Sequence, residues 1–221
     1  MDFLTEGLDR LCKGDPQEDT CSLLNRYINE IELFNPAYGL VGAADTEELI
    51  IKHILDSLAP MGIIFRLLTS LRQNSDAAFQ YQIADAGSGA GLPGIPLAIA
   101  MPQYEFTLIE RMGRRAGFLC NTKAVLSLSN VTIEESEIEK APQGRFDLVT
   151  FRAFKPLEPK LLKTLFNLCK PDGIIAAYKG RREKIELEME PLTGIQWEMI
   201  PYSVPFLDEE RHILVIKRDL Y

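Results

Sequence analysis

The apolar positions change their period once along the chain. Near the N-terminus Leu23, Leu24, Tyr27, Ile28 and Ile31 recur at helical spacing. They follow Asp15-Pro16-Gln17-Glu18, which offers an N-cap acid, a proline at the first helical position and an acid in the first turn. Asn35-Pro36 predicts the end of that helix. A second start signal, Asp45-Thr46-Glu47-Glu48, leads into Leu49, Ile50, Ile54, Leu55 and Leu58 and predicts one amphipathic helix over 46–59. Residues 1–75 therefore read as a helical extension packed as one unit with the domain at 76–221. In that domain β-type runs near 81–85, 104–109, 131–134, 146–151 and 173–178 alternate with helical patterns, which predicts a doubly wound parallel sheet. Two further β-type runs, 197–203 and 212–217, are separated by Pro205 and an acidic loop and predict a terminal antiparallel hairpin, making seven strands.

The densest chemical signal sits where the first β-type run meets the next helix, in Asp85-Ala86-Gly87-Ser88-Gly89-Ala90-Gly91-Leu92-Pro93-Gly94. Glycines there permit a tight turn and close approach of backbone to a ligand, and Pro93 suits the start of a helix running on through Ile95, Leu97 and Ile99. The same letters satisfy the dinucleotide fingerprint, so the loop alone leaves NAD and S-adenosyl-L-methionine (AdoMet) both open. Asp85, an acid immediately before the glycines, and the reversed final strand tilt the choice to AdoMet. Glu110, at the end of the second strand, suits the ribose hydroxyls of either cofactor.

Composition narrows the partners. The 221 residues are 46% hydrophobic, enough for one sizeable core, and no run of eighteen apolar residues occurs. Met1-Asp2-Phe3-Leu4-Thr5-Glu6 lacks the basic and apolar regions of a signal peptide, so a cytoplasmic protein is expected. Cys12, Cys21, Cys120 and Cys169 show no CxxC spacing and, with only His53 and His212 as imidazoles, predict reduced thiols and no metal site. A net charge of −8 argues against nonspecific coating of nucleic acid, so any RNA contact must be local. Arg111, Arg114 and Arg115 after the second strand, and Lys179, Arg181 and Arg182 after the fifth, are the local candidates. No exposed apolar heptad stands out, and a monomer is expected.

Five blocks taken in order resemble one family: Lys52-His53-Ile54-Leu55-Asp56-Ser57, Asp85 through Pro96, Phe151-Arg152-Ala153-Phe154, Tyr178-Lys179-Gly180, and Glu210-Arg211-His212 through Lys217. The chain is similar from about Leu33 to Lys217 to the glucose-inhibited division protein B family of bacterial 16S rRNA (guanine-N7) methyltransferases. The resemblance implies a Rossmann-like class I AdoMet-dependent methyltransferase fold. It also implies methylation of a guanine N7 in 16S rRNA near the decoding site, with the rRNA or the small ribosomal subunit as partner.

By the same resemblance Asp85, Gly87, Gly89, Gly91, Leu92, Glu110, Ile138, Glu139 and Arg152 are expected at the cofactor, with Leu92 at its edge and Ile138-Glu139 lining the adenine. Arg152 and His53 are expected at the reaction centre, and Arg114, Arg115, Lys179 and Arg211 at the RNA. The chemistry is consistent with this set. Guanine N7 carries an exposed lone pair, so its attack on a sulfonium methyl needs no base and no covalent intermediate, only positioning and electrostatics. An arginine reading guanine through both O6 and N7 would block the reacting lone pair, so Arg152 should favour O6 or phosphate.

Two positions depart from the family pattern. Gly39-Leu40-Val41 stands where Asn-Leu-Thr is common, and Glu137 where a basic residue often precedes the adenine-lining pair. Two other functions share part of the evidence. A methyltransferase for a small molecule or protein would keep Asp85 without needing the basic rim, and a noncatalytic rRNA-binding assembly factor would keep the rim without needing the glycine loop.

Overall fold

The computed structural model of the protein describes residues 2–12, 18–71, 80–152 and 156–218. The expected cap at Asp15-Pro16-Gln17 and the Ala153-Phe154 end of the third family block lie outside the described residues. Seven strands form one sheet: β1 (Gln82–Ala86), β2 (Glu105–Ile109), β3 (Val131–Glu134), β4 (Phe146–Arg152), β5 (Cys169–Lys179), β6 (Gln196–Val204) and β7 (Leu207–Lys217), in the order β3-β2-β1-β4-β5-β7-β6. The first five are parallel, and β7 runs antiparallel between β5 and β6. The chain leaves β1 toward β2 and returns to its other side at β4. That switch point opens a crevice at the strands' carboxyl ends, where such sheets bind ligands.

Strand alternation divides the core into two layers. Ile83, Leu108, Leu148, Ile174, Ala176, Ile213 and Val215 face one side, while Ala84, Ile109, Val149, Ile175, Ala177, Leu214 and Ile216 face the other. The first side packs against α1 (Phe3–Cys12), α2 (Glu18–Tyr38), α5 (Met61–Ser70), α6 (Gly94–Ala100) and α7 (Gly113–Leu126). The second is covered by α8 (Pro159–Leu168) and α9 (Arg182–Met189). The N-terminal helices thus share a continuous core with the sheet. Among the described residues no helix is long and apolar enough to cross a membrane.

The acidic stretch expected as a loop before 212 lies instead within β7, which begins at Leu207, and three further local expectations are corrected. Asn35-Pro36 does not end α2, which continues to Tyr38 and stops at Gly39 in the left-handed region (φ +59°). Proline removes one backbone donor near the helix end, and the Asn35 carbonyl still accepts from Gly39 N–H (2.9 Å). The Asn35 side chain caps the departing chain through Leu40 N–H (2.8 Å), Val41 N–H (3.0 Å) and the Val41 carbonyl (3.1 Å). Phe34 then packs against both Tyr38 and Phe118. Second, the helical run expected over 46–59 is broken into α3 (Thr46–Leu49), a π-helical turn (Ile50–Leu55) and α4 (Asp56–Leu58). Asp45 caps its start by accepting from Glu48 N–H (2.8 Å), and the widened turn lets Ile51, Ile54 and Leu55 all be buried. Third, β5 begins at Cys169, ahead of the expected 173, because Phe146 pairs Cys169 before a register shift brings Leu148 opposite Ile174.

α1 docks on the π turn through Gly7. A Cβ there would stand 2.4 and 2.8 Å from the two methyl carbons of Leu55, which is fully buried. Gly7→Ala should therefore lower stability by about 1–3 kcal/mol through overpacking. Thermal unfolding checks this, and an unchanged midpoint would mean that Leu55 has room to move.

Candidate functional site

The glycine loop is held from three sides. Gly87 and Ser88 N–H both donate to the Ile109 carbonyl at the end of β2 (2.9 and 3.1 Å). The buried Tyr27 hydroxyl of α2 donates to the Ala90 carbonyl (2.7 Å). Gly91, with φ +94°, leaves no space for a side chain, since a Cβ would meet Ile95 at 2.6 Å and Leu119 at 2.9 Å. The loop's shape is thus set by packing before any ligand arrives.

Two carboxylates flank it. Glu110 accepts from Gly89 N–H (2.9 Å) through one oxygen and Met112 N–H (2.8 Å) through the other, so each oxygen keeps a lone pair. Asp85 uses Oδ2 to accept from Gly94 N–H (3.0 Å), at the start of α6. Its Oδ1 is buried without a donor. Burial raises the Asp85 carboxyl to about 7, against the lowering influence of the Gly94 N–H, the Ser88 hydroxyl and the Arg152 charge. An orphaned buried acceptor of this kind requires an incoming donor.

Arg152 ends β4 on the same sheet face as Asp85, by strand alternation, and points toward the N-terminal segment. Its Nη1 donates to the Lys52 carbonyl (3.2 Å), and its Nη2 lies 2.9 Å from His53 Nδ1. Arginine has no acceptor, so Nδ1 must accept and the ring proton resides on Nε2. Burial, then the Arg152 charge, lowers His53 to about 4, which keeps the ring neutral. Asp56, three residues on and 5% exposed, lies 3.5 Å from Arg152 and 3.4 Å from Arg211 on β7, and accepts from the Tyr202 hydroxyl of β6 (2.9 Å). Beside this group lies a cavity of about 470 Å³ lined by Asp56, Arg152, Tyr178, Lys184, Tyr202 and Arg211.

The other expected site residues are distributed as follows. Leu92 and Ile138 are buried, and Glu139 is exposed. Arg114 lies over the Tyr38 ring (5.6 Å to its centre), and Arg115 reaches the Gly39 carbonyl (3.4 Å), so both basic residues rest on the end of α2. Lys179 pairs with Glu188 of α9 (2.7 Å), mostly shielded from solvent, and Glu188 also accepts from Leu157 N–H (2.6 Å). Arg211 divides its donors between Asp56 and Glu209. Glu137 pairs with Lys140 on the surface (2.8 Å). Sequence reasoning left Tyr27 and Tyr202 unassigned, and it placed Asp56 with His53 on one helical face toward the site, by the family resemblance, without its partners. Tyr27 reads as one core position among five, and only the hairpin register, which sets Tyr202 opposite Arg211, signals Tyr202. Among the described residues no group of three His, Cys, Asp or Glu side chains could hold a metal, and the four cysteines are free thiols.

Known proteins resemble this chain over most of its length. A family model described as rRNA small subunit methyltransferase G matches residues 20–214. The ribosomal RNA small subunit methyltransferase G of Treponema denticola is 42% identical, covering 98% of this chain and 94% of its own. That of Cellvibrio japonicus is 37% identical, covering 91% and 88%. Among solved structures, a SAM dependent methyltransferase from Aquifex aeolicus superposes with a TM-score of 0.56 at 16% identity, over 86% of this chain and 98% of that one, which establishes the Rossmann-like fold.

The donor set suits AdoMet. Asp85 Oδ1 would accept from its ammonium group, and the free lone pairs of Glu110 from its ribose hydroxyls. Asp85 is protonated in the free protein below about 7, and a cationic ligand favours its ionised form. AdoMet affinity should therefore rise, by at most about tenfold per pH unit, as pH climbs to about 7. Calorimetric titration checks this, and Asp85→Asn should weaken binding and flatten the rise.

Proposed function

Because this chain belongs to the rRNA small subunit methyltransferase G family, we propose that it transfers a methyl group from AdoMet to N7 of a guanosine in 16S rRNA near the decoding site. When bound, AdoMet supplies an electrophilic methyl on a sulfonium centre. One observation carries the choice of atom: the imidazole at the site has no lone pair to offer. His53 Nδ1 is engaged by Arg152 and Nε2 holds the proton, so His53 cannot act as a general base. With Asp85 given to the cofactor and His53 engaged by Arg152, the site suits a nucleophile that needs no deprotonation, as guanine N7 needs none, better than an exocyclic amine or a hydroxyl.

In this reading Asp85, Glu110 and the loop of Gly87, Gly89 and Gly91 hold the cofactor, with Leu92 and Ile138 closing its apolar edges. The mouth of the Arg152 cavity receives the target base. Arg152 has two N–H donors beyond those directed at Lys52, His53 and Asp56, and these are available for guanine O6 or a phosphate. Arg114 and Arg115 steady the RNA backbone from the end of α2. The engagement of Lys179 by Glu188 and of Arg211 by Asp56 gives both residues their first role inside the protein, in shaping the wall on which RNA rests.

Incubation with methyl-labelled AdoMet and small ribosomal subunits, followed by nuclease digestion and mass spectrometry, should yield a single new N7-methylguanosine in the 16S rRNA. Label in another nucleotide, or none, would overturn the reading. Arg152→Ala should lower kcat/KM by about 100-fold or more, measured on protein that circular dichroism shows to be folded.

A further inference from the structure

Four residues from four strands form a row across one face of the sheet at its carboxyl end. Arg152 on β4 pairs in register with Tyr178 on β5, Tyr178 with Ile213 on β7, and Arg211, two residues before Ile213, with Tyr202 on β6. Alternation places Arg152, Tyr178, Arg211 and Tyr202 on the face covered by the N-terminal helices. The segment from the π turn into α4 lies over this row. Its Ser57 carbonyl accepts from Tyr178 (2.7 Å), its Lys52 carbonyl from Arg152 (3.2 Å), and its Asp56 carboxylate from Tyr202 (2.9 Å).

Asp56 is the only carboxylate in ion-pair contact with Arg152 among the described residues, and it is shared with Arg211. Two guanidiniums held near one another repel, and each would swing toward water if the charge between them were removed. The Tyr202 hydroxyl remains a donor, because burial, then the Asp56 charge, pushes its pKa up and keeps it protonated, so it fixes the rotation of the carboxylate. The N-terminal groups that hold Arg152 come from five consecutive residues, Lys52 to Asp56, of which Asp56 alone brings a charge to it.

We propose that Asp56 is a positioning residue for methyl transfer: through its buried carboxylate it holds Arg152 and Arg211 in one fixed arrangement on the wall of the 470 Å³ cavity that takes the target nucleotide. The assignment rests on the function proposed above. Asp56 shares no hydrogen bond with the glycine loop or Glu110, so its direct effect falls on Arg152 and Arg211 rather than on the groups that hold the cofactor.

The test compares wild type, Asp56→Asn and Tyr202→Phe on small ribosomal subunits, with AdoMet affinity by calorimetry and folding by circular dichroism measured on the same samples. Asp56→Asn keeps an acceptor for Tyr202 and loses the charge. It should bind AdoMet within about twofold of wild type while kcat falls by about 30-fold or more, the scale on which small misplacements act. Tyr202→Phe keeps both ion pairs and frees the carboxylate to rotate, and should lose about threefold to tenfold in kcat with unchanged AdoMet affinity. Loss of AdoMet binding in step with turnover in folded Asp56→Asn would mark a merely structural role and overturn the assignment, as would turnover close to wild type. If Asp56→Asn does not fold, Tyr202→Phe decides, and wild-type kcat there overturns the assignment. A wild-type protein that leaves N7 unmodified instead removes the proposed function, and this inference with it.

Discussion

A guanidinium placed at the end of a central strand, with only 16% of its side chain exposed, has to be satisfied by the protein around it. Arg152 sits at the sheet's switch point, and no neighbouring strand supplies its carboxylate. The partner arrives from about a hundred residues earlier in the chain, as Lys52, His53 and Asp56. Meeting that requirement docks the N-terminal helices over the carboxyl edge of the sheet. The same carboxylate draws in Arg211 and Tyr202 and so secures the terminal hairpin. The π turn belongs to this logic. It buries three apolar residues in one direction while directing a backbone carbonyl, an imidazole and, one residue beyond its end, a carboxylate toward a single cation.

The cofactor loop shows the opposite strategy. Where Arg152 is held from within on three of its N–H groups, Asp85 is left with a buried oxygen that has no hydrogen-bond partner among the described residues. Such an atom destabilises the free protein and is stabilised by a ligand that brings the missing donor, so affinity is preorganised at some expense of stability. The rest of the loop is rigid enough to maintain that state: Tyr27 holds Ala90, Gly91 fits against Ile95 and Leu119, and Glu110 bridges two backbone donors.

The charge distribution reconciles an acidic protein with an RNA substrate. A net charge of −8 would oppose phosphate contacts across the whole surface, and the basic residues near the site are accordingly backed by fixed partners. Arg114 rests on Tyr38 and Arg115 on the Gly39 carbonyl, where a neutral glycine ends α2. Glu137 is matched by Lys140 beside it. Its charge is therefore countered locally before it can act on an approaching phosphate.

What the sequence determined by itself was everything with a short repeat or a local grammar. Periods of two and 3.6 placed the strands and helices, the glycines after Asp85 located the cofactor loop, and the reversed final strand announced the hairpin. These signals survive because each depends on neighbours a few residues away. The misjudged details are those in which tertiary contacts outweighed a local preference: Pro36 tolerated inside α2 by the capping of Asn35, the π turn within 46–59, and the early start of β5. Only the folded chain could pair Asp56 with Arg152, Arg211 and Tyr202, Lys179 with Glu188, and Tyr27 with Ala90. Asp56 is separated from Tyr202 by 146 positions and from Arg211 by 155. No periodicity spans such distances, and which charges meet is decided by the sheet order that brings the ends of β4, β7 and the N-terminal segment to one edge.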